Sequence, residues 1–312
     1  MEDLKRKIRF VFIPYLLVSA GYIIIYTFLD WLLFIQFKTL NMQPLVIRCW
    51  IPMATYWIFV YLFLWRRLKK LRLKNPKKEP QFGIVIVMCV VMLPPVALSQ
   101  IYIAEATGKL STLENIDELN ISESTRYYTL KNHYFDKRDA GLYTVYRTSG
   151  KGNNTFNVEL FYTVPIFEKE SDTTKRECSA WLGVKYRDYF NNRIDQSEKD
   201  KRCRMFEQQA HDNFKTINLD SFSYLQQLDY DENTAYYNSA LKFSSKYFEN
   251  NTFILKRCYG AFEDRTDNNL TWIIVTFGLG ATLVFLCFLP PTLSEADVEE
   301  FKSKRSNKNK VY

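Results

Sequence analysis

Apolar residues are concentrated in four stretches that are all but free of charge: Phe10–Leu29, Leu45–Trp65, Gly83–Ile103 and Thr271–Leu289. Each runs for about twenty residues. At about 1.5 Å of rise per residue, a helix of that length covers a hydrocarbon core of about 30 Å, which a helix buried in a water-soluble domain has no need to match. Between the third and fourth stretches lies a long block of mixed charge. The pattern predicts an integral membrane protein of four transmembrane α-helices plus an α+β extracytoplasmic domain with an antiparallel sheet. The expected organisation is a three-helix transmembrane region over 1–103, the α+β domain over 104–270, a fourth helix over 271–290 and a cytoplasmic tail over 291–312.

Within the charged block, aromatic and β-branched residues mark strands at 127–135, 141–147, 156–167 and 180–186. Ser149–Asn154 (SGKGNN) supplies the turn between two of them. Positions 197–215 read as a charged, exposed helix with Met205, Phe206 and Ala210 on its apolar side, and 233–243 as a shorter one. The segment TFILKRCYGAF then returns as a strand. Pro52, early in the second span, and Pro94 with Pro95, in the middle of the third, are expected to bend or break their helices.

Charge then orients the spans. Four basic residues precede the first, and eight fill the segment after the second: Arg66, Arg67, Lys69, Lys70, Arg72, Lys74, Lys77 and Lys78. Five more follow the fourth span, while the connection between the first two holds a single Lys38. By the positive-inside rule, both termini and the 66–80 loop are cytoplasmic and 104–270 is extracytoplasmic, in a multi-pass protein of the cell (inner) membrane. The loop also offers charges to anionic lipid head groups of the bilayer. Residues 104–270 carry 23 basic against 26 acidic residues, so the net charge of +8 resides in the flanking segments. A nucleic-acid partner, which needs a basic face on a folded domain, is therefore not expected.

Chemistry-bearing residues are few. His133 and His211 are the only histidines, both in the charged block, with no nucleophile motif beside them. Cys178, Cys203 and Cys258 lie where an oxidant can reach, which allows one disulfide in any of three pairings. Their spacing matches no zinc pattern, and no glycine-rich phosphate loop occurs, so neither metal nor cofactor is expected. Asp30 closes the first span and Arg48 opens the second from the same side, which makes them candidates for an interfacial ion pair. Thr276 with Gly280, and Gly278 with Thr282, are small residues four apart at which another helix can approach closely.

The runs YYTLKNHYFDKRDAG (127–141), SGKGNNTFN (149–157), VPIFE (164–168) and AWLGVKY (180–186) resemble the extracytoplasmic region of certain bacterial rhomboid-family membrane proteins. Rhomboid proteases need a Gly-x-Ser-Gly nucleophile in one membrane helix and a histidine base in another. This chain has neither: its membrane serines, Ser19 and Ser99, lack the motif, and no span holds a histidine. The expectation is a non-enzymatic, membrane-tethered recognition, sensor or accessory protein whose outer domain binds a protein or peptide. An immunity protein against a membrane- or periplasm-acting toxin is one alternative. An outer-domain enzyme using His133 or His211 is another. No motif names the ligand or the oligomeric state.

Overall fold

In a computed structural model, the structure describes residues 2–37, 45–72, 80–120, 125–175, 178–228, 232–246, 252–293 and 299. The chain forms two compact units, one of 1–107 with 265–312 and the other of 108–264.

The helical unit holds α1 (Glu2–Phe34), α2 (Val46–Leu68), α3 (Pro80–Ala106) and, near the C-terminus, α6 (Asn269–Cys287). All are long and apolar enough to cross a membrane. Leu17 and Ile24 of α1 are each 69% exposed, and Leu62, Ile274 and Leu279 also face outward, whereas Tyr15, Tyr22 and Tyr56 are buried. Exposed aliphatic side chains set against these buried tyrosine hydroxyls form the distribution that lipid, rather than water, favours. Wide π-type turns at Ile8–Phe12 and Val46–Trp50 lead into Pro14 and Pro52. A ring without an N–H cannot donate to the residue four back, and the wider turn absorbs that loss.

Helix α3 does not break at Pro94 and Pro95 but runs unbroken over 27 residues. Pro95 leaves the Val91 carbonyl without its intrahelical donor, and Gly280 of α6 packs against that point. A Cβ built on Gly280 would lie 3.2 Å from the Val91 oxygen and 3.1 Å from its Cβ. The absence of a side chain at Gly280 lets the neighbouring helix pack directly against that carbonyl.

One end of this unit gathers three parts of the chain. Lys7 donates to the Leu289 carbonyl (3.1 Å) and pairs with Asp3 (2.8 Å), and Asp3 accepts from the Leu293 N–H (3.2 Å). Arg67 donates to the Phe10 carbonyl, and Leu71–Arg72 pairs antiparallel with Thr292–Leu293. At the ends of α3 and α6 nearer the second unit in sequence, Arg265 donates to the carbonyls of Glu105 (2.8 Å) and Ala106 (2.7 Å), capping α3.

The second unit contains β1 (Leu110–Leu113), β2 (Tyr127–Leu130), β3 (Tyr134–Phe135), β4 (Gly141–Ser149), β5 (Thr155–Phe167), β6 (Ala180–Asn191), β7 (Tyr224–Gln227) and β8 (Phe253–Cys258). Their order in one eight-stranded sheet is β1-β2-β7-β8-β6-β5-β3, with β4 also paired to β5. The sheet is mixed, which corrects the antiparallel expectation: β1/β2 and β6/β8 run parallel. A parallel neighbour requires a long crossover, and the 196–252 segment, with its two helices and β7, provides one between β6 and β8. The strand expected at 127–135 is two short ones, and His133 lies in the bend between them.

Helix α4 (Gln196–Thr216) covers one sheet face, where Ala210 and Phe214 meet the even-numbered residues Val158 to Ile166 of β5. Met205, expected on that apolar side, is instead 62% exposed. Helix α5 (Glu232–Leu241) covers part of the other face, where Tyr237 and Leu241 meet Phe161 and Trp181. Its approach is so close that a Cβ on Gly141 would fall 2.0 Å from the Ala240 oxygen. With both faces covered, β5 reads as an almost continuous apolar run.

Candidate functional site

Polar side chains converge at two places in the sheet unit. At the middle of β5, on the α5 face, Glu159 is only 1% exposed. The register sets Val145 of β4 and Arg187 of β6 opposite it, with Arg147 and Lys185 two positions away on the same face. Lys185 Nζ and Arg187 Nε lie 3.0 and 3.4 Å from one carboxylate oxygen, and the Arg147 guanidinium binds the other. Lys185 also reaches Asn233 of α5 (2.9 Å), and Arg187 reaches Asn157 (3.1 Å). Burial alone would raise the Glu159 carboxyl, but the Lys185 hydrogen bond and the Lys185 and Arg147 charges outweigh it and hold it below the usual carboxylate range. A carboxylate kept ionised this firmly is a poor proton carrier near neutral pH. It acts as an ionic tie between three strands and α5.

The second place is a pocket of about 230 Å³ lined by His133, Tyr134, Phe135, Lys137, Asn218 and Asp220, among others. His133 Nε2 lies 3.4 Å from an Asp220 carboxylate oxygen, and its ring packs against Phe135 and Phe222. Its Nδ1 is buried with no hydrogen-bond partner among the described residues. Lys137 Nζ donates to the Lys215 and Ile217 carbonyls, a cationic cap on the C-terminus of α4. Burial, and then the charge of Arg257, push its ammonium below the usual lysine range. Imidazole, carboxylate, amide and ammonium together suit a small polar group. The residues lining the pocket include no serine, threonine or cysteine to act as nucleophile.

No protein-family model, curated protein or solved structure matches the chain.

The residues singled out from sequence are scattered. His211, on α4, lies 3.5 Å from the Tyr162 hydroxyl and away from His133's pocket. No disulfide joins Cys178, Cys203 and Cys258 in this structure. Cys178 packs in the core beneath α5 and Cys203 in the core beneath α4, so the sheet separates them. Cys258 instead points at Gln226, 3.7 Å away. Burial pushes the Cys178 thiol up to about 11, which leaves it unreactive.

In the helical unit, Asp30 is buried beside Gln100. The charge of Arg48 lies near enough to act on Asp30. Thr276 and Gly280 turn toward the bundle, whereas Gly278 and Thr282 are exposed. Of the basic segment, Arg67 is tied to Phe10 and Lys69 lies over the Trp65 ring. Arg66 and Lys70 belong to the same turns, while the Arg72 side chain and Lys74, Lys77 and Lys78 lie outside the described residues.

Sequence reasoning missed one feature, a polar stripe on α1. Tyr15, Ser19, Tyr22, Tyr26 and Asp30 are spaced four, three, four and four apart, so all face the bundle. Ser19 shares a hydrogen bond with Tyr56 (2.7 Å), Tyr22 with Thr55 (2.7 Å) and the Pro52 carbonyl (2.9 Å), and Tyr26 with the Ile47 carbonyl (2.8 Å). Ser99, the other membrane serine, donates to the Pro95 carbonyl of its own helix. Both serines are therefore held by structural hydrogen bonds.

Proposed function

We propose that the protein is a membrane-anchored recognition or accessory protein without catalytic activity, with its sheet unit on the extracytoplasmic side of the cell (inner) membrane and both termini in the cytoplasm. The observation that carries this reading is the separation of the chain into an apolar four-helix unit and a separately cored sheet unit. Its sidedness is supported by the N-terminus, the 66–72 turn and residues 292–293 meeting at one end of the helical unit. Lys5, Arg6, Lys7 and Arg9, with Arg66, Arg67, Lys69 and Lys70, belong to those segments, and cations favour the cytoplasmic side.

A binding role is favoured over catalysis because three ionisable groups of the sheet unit are occupied structurally: Glu159 in its tie, Lys137 as a helix cap and His211 against Tyr162. The His133–Asp220 pocket is the place where a polar group of a protein or peptide partner would be received. The test is capture from gently solubilised membranes, comparing the full chain with a chain lacking residues 104–270. A partner held only by the full chain is expected, and its loss in His133→Ala would assign it to the pocket. Equal capture by both chains would mean that the helices, not the sheet unit, carry the function.

A further inference from the structure

Strand β4 is an open edge. It pairs with β5 without a bulge over all nine residues, Gly141 to Ser149, and no described residue bonds to its backbone from the other side. The hydrogen-bond phase follows from the neighbouring ladder. The Asn192 N–H donates to the Asn154 carbonyl (2.7 Å), so even-numbered residues of β5 turn toward β6 and odd-numbered ones toward β4. Because odd pairs with odd in the β4–β5 register, the free edge of β4 presents the N–H and C=O groups of Leu142, Thr144, Tyr146 and Thr148. Native edge strands are ordinarily protected by proline, lysine, a bulge or short length, and β4 has none of these.

From this geometry we infer that β4 pairs antiparallel with β4 of a second copy of the chain, about a two-fold axis at Val145. The strand GLYTVYRTS is complementary to itself in that register. Only there do all nine residues find a partner, and the outward-turned pairs Leu142/Thr148 and Thr144/Tyr146 are the ones that exchange hydrogen bonds. Tyr146, 52% exposed, gains a β-branched cross-strand neighbour in Thr144. On the α5 face, Arg147 comes opposite Tyr143 of the second copy, whose ring stacks on Tyr236. Arg147 already lies 5.5 Å from the Tyr236 ring within its own chain, so the same cation–aromatic contact is repeated across the axis. The two Arg147 residues, the only charges in the strand, are four strand positions or about 14 Å apart, so they do not oppose each other. The joined sheet has sixteen strands, twice the eight of one copy.

The experiment uses the full chain purified in mild detergent, with Cys203 and Cys258 replaced by serine. The native mass of this parent is expected to be that of two chains, and Thr144→Pro is expected to return it to one. Proline there removes an outward N–H and no bond to β5. Oxidation of Val145→Cys should give a disulfide-linked dimer, since facing residues of a non-hydrogen-bonded pair have Cα atoms about 4.5 Å apart. Ser149→Cys, about 27 Å from its counterpart, should not cross-link. A single-chain mass for the parent overturns the proposal, as does cross-linking equal at both positions. Protection of the Thr144 and Tyr146 amides from hydrogen exchange only when another protein is added also overturns it, and assigns the edge to that protein. The single-chain mass leaves the recognition reading standing, because capture by the sheet unit is measured separately.

Discussion

At the scale of single residues, Glu159 is the most constrained group in the sheet unit. Removing its charge leaves Arg147, Lys185 and Arg187 converging on a neutral amide. Glu159→Gln is therefore expected to cost about 3 kcal/mol, the low end for losing one partner of a buried ion pair, because the three cations keep access to water. Chemical unfolding followed by the fluorescence of the buried Trp181 would measure it. The carboxyl is held below its ordinary value in the fold, so its stabilisation is complete above about pH 4.5 and is lost as the pH falls through the lowered folded value. In Glu159→Gln that acid-side loss should disappear. An acidic residue within a strand gives no sign in sequence that it is buried. Only the register, which brings three cations to it from two neighbouring strands, reveals it.

At the scale of elements, α6 packs tightly against α3 at Gly280. A leucine there would meet the Val91 carbonyl and Cβ, and overpacking of this kind costs about 1–3 kcal/mol. Gly278→Leu, on the exposed side with no atom near its Cβ, should stay within about 0.5 kcal/mol of the parent. Thermal unfolding of both variants in detergent separates these outcomes. The sequence pattern of small residues offered both positions equally, because spacing alone does not say which side of a helix is covered. The long strands β4, β5 and β6 were legible from their aromatic and β-branched runs. Four-residue β1 and β7 are too short to show a period, and the parallel pairings depend on where long connections return. The stripe from Tyr15 to Asp30 has a clear helical spacing, but it is masked by the high average hydropathy of the span that contains it.

At the scale of the whole molecule, the four apolar helices, the basic segments and the charged block were all readable from the sequence, because membrane thickness and the distribution of lysine and arginine act on composition directly. The function was not readable in the same way, since the recognition role proposed above depends on surfaces assembled from distant strands. The central claim is that the sheet unit and the two termini lie on opposite sides of the membrane. It is tested most directly by labelling intact cells with a membrane-impermeant maleimide, in a chain whose own cysteines have been replaced. Single cysteines would be placed at exposed Lys201 on α4 or at exposed Lys5 near the N-terminus. Lys201→Cys is expected to label in intact cells and Lys5→Cys only after permeabilisation. Labelling of Lys5→Cys in intact cells, or failure of Lys201→Cys to label until the membrane is opened, would contradict the account.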